Sequence, residues 1–178
     1  MIEPDLSVVV PLYNEEESLP VLAAEIAAAL DPLPLSYEVL YVDDGSTDGS
    51  PWVLERLAAR DPRVRRIRLA ENSGLSAGLA AGIRHARAPL VATLDADLQN
   101  DPADIPRMLE ALPGVDVVCG IRQKRRDDWL RRVSSKVANA VRNWATDESV
   151  TDVGCTLRVA RREHLVEVAF FTGIHRFL

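Results

Sequence analysis

Cysteine is nearly absent from this chain: Cys119 and Cys155 are the only two. Neither has a ligand cluster around it, so they suggest no disulfide framework and no zinc site. Both read as reduced core thiols of a cytoplasmic protein. Long apolar runs are also missing, and nothing has the length of a membrane-spanning helix. The first residues, MIEPDLSVVV, carry an acidic flank where a secretory signal carries a basic one. Positive charge is in deficit too. The formal net charge is −6, which argues against wholesale nucleic-acid binding. There is no internal repeat and no low-complexity linker. What is present is 178 residues, 47% of them hydrophobic. That is enough for one medium domain with a sizeable core and hardly enough for two.

The apolar residues fall in short runs that alternate with helical patterns. LSVVVPLY, YEVLYV, VRRIRL, PLVATL and VDVVCG read as strands, the first buried on both faces and the third half exposed. Ser18 is placed to cap a helix with Leu22, Ile26 and Leu30 on one face. Ser50 is placed to cap a second, with Pro51 at its first position and Leu54 and Leu57 inward. SGLSAGLAAGIRHA reads as a small-residue helix, and Pro102 opens another carrying Ile105, Met108, Leu109 and Leu112. Strands separated by helices of about three turns imply βαβ units and a parallel sheet, an α/β fold class. Ligands of such sheets bind beyond the carboxyl ends of the strands. YNEEE, DDGSTD and DADLQ all fall there. Their convergence on one sheet edge marks a candidate site.

The stretch GLSAGLAAG spaces Gly74, Gly78 and Gly82 at intervals of four. It is neither the G-x-G-x-x-G dinucleotide fingerprint nor a G-x-x-x-x-G-K phosphate loop. Close helix packing through small residues is the better reading, which disfavours dehydrogenases and P-loop enzymes. DADLQNDPADIP begins like a calcium loop, but Asn100 stands where that loop needs Gly and Pro106 where it needs Glu. A phosphatase-type D-x-D would be accompanied by a second acidic pair downstream, and none follows. Two readings of Asp95 and Asp97 stay open: an acidic capping turn, or carboxylates holding Mg²⁺ or Mn²⁺ whose shell a substrate's phosphates complete. VDDGSTDGS is likewise either a capping turn or a placement of Asp43 or Asp44 to accept from a base or ribose. In PLYNEEE, Tyr13 offers a flat face to a nucleobase and Glu15 an acceptor, unless the segment is only a strand-end turn.

Taken together, VVVPLYNEEESL, YVDDGSTDGS, ENSGLSAGLAAGI and LDADLQNDP, in this order and spacing, resemble the family 2 inverting glycosyltransferases of GT-A type. RRVSSKVAN and TDVGCTLRVARRE look more narrowly like its polyprenyl-phosphate branch. That branch contains dolichyl-phosphate mannosyltransferase and the undecaprenyl-phosphate aminoarabinose and glucose transferases. The resemblance covers nearly the whole chain. It implies a Rossmann-like GT-A fold, a mostly parallel central sheet with helices on both faces. It also implies transfer of a sugar, with inversion, from a nucleoside-diphosphate sugar to a polyprenyl phosphate. By the same resemblance Pro11, Tyr13 and Glu15 touch the nucleotide, Asp43 with Asp44 reads the base, and Asn72 and Gly74 border it. Asp95 and Asp97 match the D-x-D at the donor and reacting centre, and Asp97 with Gln99 would ligate Mg²⁺ or Mn²⁺. Residues 1–99 would form the nucleotide-sugar half and 100–178 the acceptor half. The family normally continues past FFTGIHRFL, often into membrane helices, so a truncated C-terminus is the expectation.

A phosphate acceptor needs alignment and charge neutralisation rather than a general base. Its second pKa is roughly 6, so it is largely a dianion at neutral pH. A source of positive charge exists. Residues 122–142 carry eight basic residues against two acids, net +6, which leaves −12 for the remainder. On a helical wheel Leu130, Val133, Val137, Val141 and Trp144 line one stripe, and Arg131, Ser135, Asn139 and Arg142 the opposite one. The resemblance points to Arg122, Arg131, Ser135 and Arg158 as acceptor-phosphate contacts, with Arg suited to bidentate binding. A solvated charged face is the alternative for Arg142 and for Lys124 to Arg126. Phe170, Phe171 and Phe177 all lie within the last nine residues. With the basic segment they suggest either a core element or contact with the cytoplasmic face of a membrane. The rival functions are a family 2 transferase with a carbohydrate or protein acceptor, and a nucleotide-sugar-binding module without turnover. Self-association is compatible with either.

Overall fold

The computed structural model describes residues 3–120 and 155–167. The described chain runs β1 (Leu6–Leu12), α1 (Leu19–Leu30), β2 (Tyr37–Asp43), α2 (Ser50–Arg60), β3 (Val64–Arg68), α3 (Leu75–His85) and β4 (Leu90–Thr93). It continues through a 3₁₀ turn (Pro102–Asp104), α4 (Ile105–Ala111), β5 (Val117–Cys119), β6 (Arg158–Arg161) and α5 (Arg162–Glu167). One six-stranded sheet results, in the order β3-β2-β1-β4-β6-β5. The pairs among β1 to β4 are parallel, and β6 is antiparallel to both β4 and β5. The mostly parallel α/β sheet expected from the run pattern is therefore present. β6 is the strand that pattern did not reveal.

The two faces of β1 show why the sheet sits inside. Leu6, Val8, Val10 and Leu12 point to one side with Leu22 and Ile26 of α1, Leu54 of α2, and Ile105 and Met108 of α4. Val9 points to the other, against Leu79 and Ile83 of α3, with Leu165 of α5 packed alongside. A strand covered on both faces reads as a continuous apolar run, which is what LSVVVPL is. β3, at the sheet edge, has half-buried Val64, Arg65 and Ile67 beside exposed Arg66 and Arg68. α3 lies close on the sheet because it is built from small residues. A Cβ on Gly82 would come within 2.3 Å of Val9 Cγ1, and one on Gly78 within 3.0 Å of Pro11 Cβ.

Three local expectations are corrected. Ser18 does stand at the N-cap of α1, but its hydroxyl makes no cap bond. Instead it bonds the Glu15 carbonyl and carboxylate, at 3.1 and 2.8 Å. Ser50 is the first residue of α2 rather than its cap, and its hydroxyl accepts from the Glu15 amide at 2.9 Å. Cys155 is buried as expected, whereas Cys119 is exposed because β5 is the outermost strand. Among the described residues no helix is long and apolar enough to cross a membrane.

Candidate functional site

β1 is where the strand order reverses: β2 and β3 follow on one side, β4 on the other. A crevice beyond the carboxyl ends of the strands at such a point is the usual ligand site. Here it is a cleft of about 240 Å³ lined by Pro11, Leu12, Tyr13, Glu15, Asp44, Leu75 and Asp95 to Asp97. Six of the residues singled out in the sequence (Pro11, Tyr13, Glu15, Asp44, Asp95 and Asp97) thus share one wall. Tyr13 is 43% exposed, so its ring is available for stacking.

The loops around the cleft are tied to each other by side chains bonding backbone. Asn14, at φ 58, donates its amide to Ser46 Oγ at 2.9 Å. Its Oδ1 accepts from the Thr47 amide at 2.8 Å. Glu16 Oε2 accepts from the Gly49 amide at 3.0 Å, and Asp48 Oδ2 accepts from the Glu16 amide at 3.2 Å. Asp48 lies below its ordinary pKa: burial alone would raise it, but bonds from Ser50 and the Glu16 amide outweigh that. Gly45, at φ 75, lets the next loop close in, since a Cβ there would meet the Glu71 carbonyl carbon at 2.8 Å. Nothing in the spacing of YNEEE or GSTDGS signals these bonds. They join residues more than thirty positions apart.

Asp43 and Asp44 divide the work between them. Asp44 accepts from the Ser73 and Gly74 amides, both at 2.7 Å, and so fixes the turn that starts α3. Asp43 is 2% exposed. Its Oδ1 takes the Ser46 amide at 2.8 Å, while its Oδ2 has no hydrogen bond and lies 3.4 Å from Arg68 Nε. Asn72 is exposed in the same loop and does not line the cleft, and Gly74 reaches it only through Asp44.

At the β4 end, Asp97 is exposed and its Oδ1 accepts from the Gln99 amide at 3.0 Å. Leu98 between them is held at φ 60, a left-handed conformation that a bulky residue adopts only under constraint. Gln99 lines a neighbouring cavity of about 550 Å³ with Asn100, Arg107, Cys119 and Leu157, not the cleft itself. Asp95 Oδ2 accepts from Thr156 Oγ1 at 2.6 Å. Arg158 lies in β6 opposite Thr93 and is 6% exposed. Burial lowers its pKa, against the opposing pull of Cys119, Cys155 and Asp95. That is the setting of an internal counter-charge, and it lacks the access that the acceptor-phosphate expectation required. Arg122, Arg131 and Ser135 lie outside the described residues.

Among the described residues no three His, Cys, Asp or Glu side chains form a ready-made metal cage. The donor set at the D-x-D is all oxygen, from two carboxylates in an open cleft. That fits Mg²⁺ or Mn²⁺, which bind through one or two carboxylates and complete their shell with water and substrate phosphates.

Solved structures share this architecture. A mannosyltransferase from Pyrobaculum calidifontis, in complex with GDP-Man and Mn²⁺, superposes with TM-score 0.68 at 25% identity, over 96% of this chain and 48% of that one. Glucosyl-3-phosphoglycerate synthase from Mycobacterium tuberculosis, with Mn²⁺ and UDP-glucose, gives 0.71 at 21% identity, over 94% of this chain and 59% of that one. At that identity the second likeness concerns the fold alone, which is the GT-A arrangement. By sequence, an undecaprenyl-phosphate 4-deoxy-4-formamido-L-arabinose transferase from Aeromonas hydrophila is 44% identical over 164 residues, 91% of this chain and 50% of that protein. Its counterpart in Edwardsiella ictaluri is 45% identical over 158 residues, 88% of this chain and 49% of that protein. The chain therefore spans about half the length of these relatives. The family description "Glycosyl transferase family 2" matches residues 7–168. With that match laid over a D-x-D cleft at the switch point of its sheet, the chain belongs to glycosyl transferase family 2.

Proposed function

We propose that the chain is the catalytic domain of an inverting glycosyltransferase that moves a sugar from a nucleoside-diphosphate sugar to a polyprenyl phosphate such as undecaprenyl phosphate. The observation that carries this is the cleft itself, which Tyr13 and Glu15 after β1 line together with Asp95 and Asp97 after β4. The relatives' names supply the acceptor class. Residues 1–99 are assigned to the donor and 100–178 to the acceptor.

Tyr13 stacks on the base, with Pro11 and Glu15 beside it, and Asp43, steered by Ser46 and Arg68, accepts from the base edge. Asp44 holds the Ser73–Gly74 turn, and Asn72 in the same loop is assigned to the nucleotide's border, outside the cleft lining. Asp97, with Asp95 and Gln99, would hold Mg²⁺ or Mn²⁺. When bound, the ion offsets charge on the departing diphosphate. An acceptor phosphate oxygen attacks the anomeric carbon from the opposite face as the bond to the donor's β-phosphate oxygen breaks. The nucleoside diphosphate keeps that electron pair, and the anomeric centre inverts. Arg122, Arg131 and Ser135 are assigned to the acceptor phosphate, at the cytoplasmic face of the membrane. Arg158, buried within the sheet, is not assigned to the acceptor phosphate.

The test is donor turnover with Mn²⁺ across UDP- and GDP-sugars, with and without undecaprenyl phosphate. Turnover that requires the prenyl phosphate is the expected result. Turnover with a soluble carbohydrate alone would move the acceptor assignment. Nucleotide-sugar binding with no transfer to any acceptor would leave a binding module.

A further inference from the structure

A chain of three side chains runs from the acceptor half into the D-x-D. Asn100 Nδ2 donates to Thr156 Oγ1 at 2.9 Å, and Thr156 Oγ1 donates to Asp95 Oδ2 at 2.6 Å. The direction is set by chemistry. A carboxylate only accepts and an amide NH₂ only donates, so the single hydroxyl proton of Thr156 must point at Asp95. At the other end of the Asn100 amide Cys155 Sγ lies 3.5 Å from Oδ1 and can donate to it, which agrees with Nδ2 turned toward Thr156. The backbone under Thr156 is pinned as well: its carbonyl accepts from Thr93 Oγ1 at 2.6 Å. Asn100 and Thr156 are 6% and 7% exposed, so both side chains are largely withdrawn from solvent. Hydrogen bonds aligned head to tail polarise one another, which strengthens the last of them.

We infer that Thr156, oriented by Asn100, is a positioning residue that holds the Asp95 carboxylate in the geometry needed to receive the metal-bound diphosphate of the donor. Neither residue lines the cleft. Each acts through Asp95, 61 positions from Thr156 in sequence. The link makes the donor site depend on a segment from the other half of the chain. This inference rests on the proposed metal–diphosphate site.

Calorimetry of UDP binding with and without Mn²⁺ (GDP if wild type prefers it) separates the two ideas, using the purified chain, Thr156→Val, Thr156→Ser and Asn100→Ala. Removing the hydroxyl in Thr156→Val should cut the Mn²⁺-dependent gain in UDP affinity about tenfold, the scale of lost outer partners at metal sites. Metal-free UDP affinity should stay within about twofold, because the base contacts are untouched. Thr156→Ser should restore the gain. A full Mn²⁺ gain in Thr156→Val overturns the inference, as does a loss in Thr156→Ser equal to that in Thr156→Val, which would assign the effect to methyl packing. Should Thr156→Val fail to fold by circular dichroism, Asn100→Ala breaks the chain one bond earlier and must show a loss in the same direction. An unchanged gain there overturns the inference too. If wild type shows no Mn²⁺ gain at all, the metal reading itself falls and the inference falls with it.

Discussion

Asp97 is expected to contribute little to the fold and much to the proposed metal site. Its carboxylate is exposed, it bonds only the amide of Gln99 two residues on, and the strained Leu98 fixes the turn between them. Asp97→Ala should therefore leave the melting temperature within a degree or two while turnover falls by at least ~100-fold, the scale of losing one transition-state stabiliser. EDTA should abolish the same activity, and full turnover in either case removes the metal role. Tyr13 and Asp43 test the donor. Tyr13→Ala and Asp43→Asn should each weaken UDP or GDP binding in calorimetry by roughly 1–3 kcal/mol, the worth of a lost stacking or buried hydrogen-bonding partner. Asp43→Asn is preferred to Ala because Oδ1 also anchors the Ser46 amide. Wild-type affinity in both variants would put the nucleotide elsewhere.

Elements differ in how plainly their sequences announce them, and burial is the reason. β1 and β2 are covered on both faces and read as largely apolar runs, interrupted by Ser7 in the first and by Glu38 and Asp43 in the second. α3 announces its packing through its glycines. Gly82→Ala would gain about 1 kcal/mol of helix propensity but lose roughly 1–3 to overpacking against Val9. Net destabilisation in urea unfolding, larger than for Gly78→Ala, is the expected outcome. β6 was illegible because four residues with a buried arginine carry no period. The bonds of Asn14, Ser46 and Thr156 were illegible because each joins residues distant in sequence. Glu38 in β2 was hidden in the same way. It is buried and accepts from Ser7 Oγ, Arg65 Nη1 and the Arg87 amide, each at 2.8 Å. Burial alone would raise its pKa, but those donors bring it below the ordinary 4.5. A depressed carboxylate stabilises the fold above its unfolded pKa and loses that contribution as pH falls through the folded one. Glu38→Gln should thus cost roughly 1–3 kcal/mol at pH 7. It should also flatten the decline in stability expected of the wild type as pH falls below 4.5.

At the scale of the whole molecule, charge is unevenly spread: residues 122–142 carry net +6 in a chain of −6. Arg131→Ala should raise the KM for undecaprenyl phosphate while leaving UDP affinity nearly unchanged. Flotation with anionic vesicles should show salt-sensitive binding. Equal losses for donor and acceptor in Arg131→Ala would overturn the division into halves. The sheet order has a consequence in time. β5 does not pair with β4; β6 lies between them and comes from residues 158–161. As the nascent chain leaves the ribosome, β4, which ends at Thr93, keeps one unpaired edge until Arg161, 68 residues later, has been made. At ~5–20 residues per second that is roughly 3–14 s, during which the edge is open to pairing with another chain. A fragment ending at residue 120 would hold that vulnerable state indefinitely, so it should aggregate where the longer chain stays in solution. Slow translation between residues 120 and 160 should lower soluble yield without changing a single contact of the finished fold.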